Sequence, residues 1–248
     1  MLSETKPGKC KLLWLTQPYT VKRRTNRYIS LPYPCIGVFR FLDFGIQLSD
    51  VYPHVLSRVR KGETLLDLGC CVGQDLRKVA FDAGTSNNLI GADIEDQFIE
   101  LGYELFRDRG RFQGQFTTGS VFDDHFLADK RGKIDIIYLG SFLHLFNRAQ
   151  QQHIVAKLAE LLVPRAGSLV FGRNLGAENG GEFRMESIGW DLYRHSSHTI
   201  RELFTGAGHA EWNVQSSLSR YESAAWSDNR RGWQGDETKQ MMFSAIRL

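Results

Sequence analysis

A chain of 248 residues, with 31 Lys and Arg against 28 Asp and Glu and a net charge of +3, has the size of one α/β domain with a single core. The near balance argues against a polyanion-driven function, so no nucleic-acid partner is expected, and four cysteines without a CxxC pair argue against a disulfide framework or a zinc knuckle. The start lacks a secretory pattern and no segment reaches the roughly 20 apolar residues that cross a bilayer, so the reading is a cytoplasmic protein without a membrane span.

Residues 1–61, rich in Pro and aromatics ("ISLPYPCIGVFRFLDFGI"), fall outside any strand and helix alternation and read as a segment or lid over one end of the domain. Residues 62–248 form the domain proper. "TLLDL" is its first strand, and Leu76, Val79, Ala80 and Ala83 then keep helical spacing until Gly84. "NLIGAD" is the second strand, followed by a helix carrying Phe98, Leu101, Gly102 and Leu105. "GQFTTG" and "KIDIIYLGSF" are the third and fourth strands, and "AQQQHIVAKLAELLVP" is the clearest helix, stopped by Pro164 and Gly167. "SLVFGRN" is the fifth strand, "HTIRELFTGAG" a helix, and "EWNVQS" and "MMFSAIRL" the last two strands, joined by a long loop over 217–238. The pattern predicts an α/β fold: a Rossmann-like, doubly wound, seven-stranded sheet whose last strand is antiparallel, with residues 174–199 as an insertion on the substrate side.

In such a sheet the turn after the first strand decides the ligand. Here it reads Asp67-Leu-Gly69-Cys-Cys-Val-Gly73 instead of GxGxxG. Asp67 at the strand end repels a pyrophosphate but suits a cationic ligand. S-adenosylmethionine has an α-amino group, a sulfonium and no phosphate, so it fits this turn better than a dinucleotide. Gly69 and Gly73 are the positions where the backbone is expected to approach the ligand, with Gln74 and Asp75 adding polar groups at the helix start. Asp93, ending the second strand before Ile94, is placed to accept hydrogen bonds from both ribose hydroxyls. After the third strand Val121 and Phe122 offer a wall for adenine and Ser120 a polar partner, while Gly140 ends the fourth strand beside the same crevice.

On the acceptor side His144, in "LGSFLHLF", is the best-placed imidazole to orient an oxygen or remove its proton, with His195 as a second catalytic candidate and His198 on the substrate side. The HxxH spacing of the latter two has no third ligand nearby, so no metal is expected. Tyr28, Tyr33, Phe39 and Phe41 are candidates for an apolar substrate wall, and the same rings would dock the segment on the sheet.

The stretches "LLDLGCCVGQDLRK", "GADIEDQFIELGYELFRDR" and "IIYLGSFLHLF", with "YPCIGVFRFLDF" before them, resemble class I S-adenosylmethionine-dependent methyltransferases. The resemblance is strongest to the fungal secondary-metabolite branch of meroterpenoid carboxyl O-methyltransferases, and it weakens after about Gly172. It implies O-methylation of a carboxyl group on a hydrophobic terpenoid acid; a homodimer is left open by the sequence. The alternatives left open are a phenol, nitrogen or carbon acceptor, a cofactor that only assists a cyclisation or isomerisation, and a non-catalytic binding partner.

Overall fold

Apolar runs of period two become the strands of one sheet, and apolar stripes of period 3.6 become the helices that cover it. The computed structural model describes residues 19–22, 28–31, 40–185, 190–206, 210–220 and 238–248. The sheet uses β3 (Leu65–Leu68), β4 (Leu89–Asp93), β5 (Gln115–Thr118), β6 (Ile136–Gly140), β7 (Leu169–Gly176), β10 (Trp212–Arg220) and β11 (Lys239–Arg247). Their spatial order is β10-β11-β7-β6-β3-β4-β5. All neighbours run parallel except β11, which is antiparallel to both β7 and β10. The predicted seven strands and reversed last strand are therefore present. The order reverses around β3, which puts a crevice at its carboxyl end.

Helices α2 (Gln74–Ala83), α3 (Asp96–Phe106), α4 (Arg148–Leu161) and α5 (Ser197–Thr205) follow the predicted spacings. Gly84 ends α2 in a left-handed conformation, and Asn147 with Gln150 closes a capping box that starts α4. Strand alternation divides the core into two layers. Leu66, Ile137 and Val170 face Ile154, Leu158 and Phe204 on one side of the sheet, while Leu65, Tyr138 and Phe171 face Leu76 and Val79 on the other.

Two features differ from the sequence reading. Ile46, Tyr52, Val55 and Val59 are buried in the second layer, the last three on α1 (Tyr52–Arg60), so residues 46–59 belong to the domain core and the packing does not divide at residue 61. Within 174–199 lies an antiparallel hairpin of β8 (Gly181–Met185) and β9 (Trp190–Arg194). A second hairpin pairs β1 (Tyr19–Lys22) with β2 (Tyr28–Leu31). β10 and β11 pair over nine residues each, which shortens the expected loop, and its segment 221–237 lies outside the described residues. Among the described residues no helix is long and apolar enough to cross a membrane.

Candidate functional site

The turn after β3 is fastened to β4 before any ligand is considered. The Gly69 and Cys70 N–H groups both donate to Ala92 O, at 2.8 and 3.0 Å. Cys71 then takes φ 53°, a left-handed conformation that costs an ordinary residue about 1–2 kcal/mol. Its N–H donates to Asp93 Oδ2 at 2.8 Å, and the Glu95 N–H donates to Asp93 Oδ1 at 3.1 Å. Asp93 is thus a brace for the turn as well as the acid at the end of β4. Burial raises its pKa, against which the backbone donors of Glu95, Cys71 and Ile94 act. Gly69 and Gly73 both have positive φ, and at each a Cβ would collide with the protein's own rings: Phe142 at 2.5 Å and Phe116 at 2.6 Å. The two glycines are required by packing in addition to any ligand contact.

Asp67 is 2 % exposed, and its Oδ2 has no hydrogen-bond partner. Burial, with Asp75 and Asp93 nearby, pushes its carboxyl well above the usual range. Asp75 differs from the expectation of a ligand-facing group at the helix start. Its Oδ1 accepts from the Ile46 N–H and its Oδ2 from Gln74 Nε2, both at 3.0 Å, which ties the segment before α1 to α2. Gln74 Oε1, the Tyr138 hydroxyl and Asn174 Nδ2 are also buried without partners. Of the five such atoms among the described residues, only Trp212 Nε1 lies away from the crevice around β3, β6 and β7. Buried polar atoms are normally paired, so this concentration makes the crevice the candidate ligand site.

The third stretch is only partly as predicted. Val121 does not form an adenine wall, because the turn after β5 aims it into the core, where it is 4 % exposed. Phe122 is 38 % exposed and packs against the rings of Phe146 and His153 at 5.4 and 5.6 Å. Ser120 Oγ accepts from the Phe122 N–H at 3.2 Å, and Ile94 stands exposed beside Asp93.

His144 follows Gly140 on a single 3₁₀ turn, Leu143–Leu145. Its Nδ1 accepts from the Leu175 N–H at 3.2 Å and lies 3.2 Å from Asn174 Oδ1, which itself accepts from the Phe142 N–H at 3.1 Å. The two contacts make opposite demands on Nδ1, since Asn174 Oδ1 requires a proton there and the Leu175 N–H a lone pair.

His195 is not placed for chemistry. It is 4 % exposed, with Nε2 2.7 Å from Gln151 Oε1 and Nδ1 3.0 Å from Thr199 Oγ1. Gln151 Nε2 donates to Phe146 O and Tyr193 O, which fixes the amide and makes His195 Nε2 the donor. Burial, assisted by the Arg148 charge, lowers its pKa from 6.5 to about 4. The unfolded chain therefore binds this proton first, so stability is full above about pH 6.5 and is lost as pH falls toward 4. Relative to His195→Gln, the wild type should lose about 3 kcal/mol of unfolding free energy between pH 7 and pH 4 in urea titrations. A constant gap across that range would remove the assignment. His198 is exposed and pairs with Glu202 at 3.1 Å on the outer face of α5, which separates it from the crevice.

Phe41 packs against the cluster of Val72 and Phe98, as Cys71 does, so the segment before α1 does reach the glycine turn. Tyr33 and Phe39 lie outside the described residues, as does the Tyr28 side chain. Sequence reasoning missed Arg77. Its guanidinium forks onto Asp108 at 2.6 and 2.9 Å, donates to Val72 O at 2.7 Å, and is ringed by Phe106, Phe116, Tyr103 and Phe112 at 4.6–5.4 Å. An arginine four residues after the last turn glycine is the only local signal.

Comparison with known proteins supports the same assignment. A family model described as a methyltransferase domain matches residues 65–165. The O-methyltransferase atr3 of Stereocaulon alpinum is 35 % identical over 239 residues, covering 94 % of this chain and 68 % of that protein. The asnovolin E/chermesin D methyltransferase nvfJ of Aspergillus novofumigatus is 38 % identical over 173 residues, covering 69 % of this chain and 62 % of that protein. The chain spans between about half and two thirds of the length of the curated relatives it matches. In three dimensions a sarcosine dimethylglycine methyltransferase-like protein of Galdieria sulphuraria superposes with a TM-score of 0.59 at 11 % identity, over 92 % of this chain and 91 % of that one, which concerns the fold alone. With the strand order, the acid-glycine turn and the atr3 match in agreement, the chain belongs to the class I S-adenosylmethionine-dependent methyltransferases, in the branch of fungal secondary-metabolite O-methyltransferases.

Proposed function

We propose that this chain transfers the methyl group of S-adenosylmethionine to a carboxylate oxygen of a hydrophobic small molecule, with Asp93 accepting from the ribose hydroxyls. The fit of the cofactor rests on the unpaired acceptors at the crevice, Asp67 Oδ2 and Gln74 Oε1, which match an ammonium group. When bound, the cofactor supplies an electrophilic methyl with a neutral thioether as leaving group. The chain then has to align the acceptor and exclude water. The names of atr3 and nvfJ support an oxygen acceptor and a small-molecule substrate.

The choice of a carboxylate over a phenol or alcohol follows the resemblance to the carboxyl O-methyltransferases and is tested at His144. A hydroxyl acceptor needs a base, whereas an ionised carboxylate needs only a donor that orients it. His144 Nδ1 is engaged by the Leu175 N–H and by Asn174 Oδ1, which holds the ring just past the end of β6. In this role it orients an oxygen that is already ionised and removes no proton. Single-turnover rates should therefore be flat from about pH 6.5 to 9, and His144→Gln, which keeps an amide donor, should slow transfer by less than about tenfold. A rising limb near the imidazole pKa, together with a loss of roughly 10²–10⁴ in His144→Gln, would replace the carboxylate by a hydroxyl acceptor.

A further inference from the structure

Arg173 has no role in the proposed chemistry so far. It sits near the carboxyl end of β7, is 9 % exposed, and among the described residues no hydrogen bond or ion pair engages its guanidinium. A buried guanidinium normally forks onto a carboxylate, because leaving it desolvated and unpaired is costly. Asp75 is near enough to sense the charge but does not accept from it, since its two oxygens already serve the Ile46 N–H and Gln74 Nε2. Gly45 lies along the guanidinium, where a Cβ would stand 2.9 Å from Cζ and 3.0 Å from Nε and Nη2. The guanidinium is therefore covered by Gly45 on one side, while its nitrogens, none of them fully enclosed, stay open to an acceptor on another.

Tyr138 adds a second unmatched donor on the same sheet face. It pairs in register with Asp67, is 1 % exposed, and its hydroxyl is buried without a partner. The register puts Asp67 beside Tyr138 and Tyr138 beside Phe171, two residues before Arg173, so the three side chains share one sheet face. Donors without acceptors thus adjoin acceptors without donors, Asp67 Oδ2 and Gln74 Oε1. An acid alone would satisfy only the donors. A zwitterion would satisfy both sets.

We propose that Arg173 and the Tyr138 hydroxyl form a carboxylate receptor, which takes the carboxylate of the cofactor's amino-acid head while Asp67 and Gln74 take its ammonium. The assignment rests on the methyl-transfer reading and names the residues that hold one end of the cofactor. The test is calorimetric titration of the chain with S-adenosylhomocysteine and with its analogue lacking only the carboxylate. The wild type should prefer the former by roughly 10- to 100-fold, the range for a charge-assisted hydrogen-bonded pair. Arg173→Met should abolish that preference by weakening S-adenosylhomocysteine alone, Arg173→Lys should restore part of it, and Tyr138→Phe should reduce it by a smaller factor. Equal affinities for the two ligands in the wild type overturn the proposal without recourse to a variant. A preference that survives in a folded Arg173→Met overturns it as well. Parallel titration with abietic acid and its methyl ester addresses the other source of a carboxylate. If Arg173→Met erases only the acid-over-ester preference, the receptor belongs to the acceptor and its assignment to the cofactor falls. Failure of the wild type to bind S-adenosylhomocysteine at all would instead sink the methyl-transfer reading.

Discussion

Replacing Asp93 by alanine is expected to weaken binding of S-adenosylhomocysteine by roughly 30-fold to 10⁴-fold, because two ribose hydroxyls would each lose a hydrogen bond to a charged acceptor, worth about 1–3 kcal/mol apiece. The structure adds a second route to the same loss. Asp93 Oδ2 holds the Cys71 N–H in a left-handed turn, and alanine would leave that donor unpaired and the strain at Cys71 unopposed. Global stability should change far less than affinity, since burial already disfavours the Asp93 charge and its removal offsets part of the lost bracing. Asp93→Asn should lie between wild type and alanine, as it retains one acceptor but turns an amide donor toward either Cys71 or Glu95. Calorimetry on folded Asp93→Ala showing wild-type affinity would remove Asp93 from the cofactor site.

Asp93 and the glycine turn were legible because their signal is local. A carboxylate, two glycines and a second carboxylate at successive strand ends need no knowledge of distant contacts. The strands are legible for the same reason, since Leu65 to Leu68, apolar but for Asp67, and Ile136 to Gly140 are short runs between polar breaks. What the residues do was less legible. Gly73 was read as room for a ligand, yet Phe116 and Arg77 already claim that space. His195 reads as a catalytic candidate because its stretch interrupts the strand and helix alternation, but its surroundings depend on Gln151, 44 residues away, which no spacing reveals. Val121 and Phe122 were both given to adenine, and the register of one short turn decides that Val121 faces the core. The helix α1 was missed because Ile46, Tyr52, Val55 and Val59 are embedded in a stretch whose Pro and aromatic content masks their spacing.

Arg77 is the clearest case of a determinant set by tertiary contacts, and its substitution should have the largest effect on folding. The guanidinium and Asp108 carboxylate are 8 % and 16 % exposed, so removing the cation leaves a largely desolvated anion without its partner. Breaking such a pair costs about 3–5 kcal/mol, and Arg77→Met is expected to lower the unfolding free energy by that amount in urea titrations. Arg77→Lys should recover little, because an ammonium cannot fork onto both Asp108 oxygens while reaching Val72 O and stacking on Phe106. Combining Arg77→Met with Asp108→Leu removes the stranded charge and should restore a large part of the loss, as replacement of whole buried pairs by apolar groups often does. The double variant should nonetheless bind S-adenosylhomocysteine more weakly than wild type, since Arg77 ties the Val72 carbonyl of the glycine turn to Asp108, just past α3. A single Arg77→Met that costs less than about 1 kcal/mol would show the pair to be solvated in solution and would end its role as the clamp on the turn.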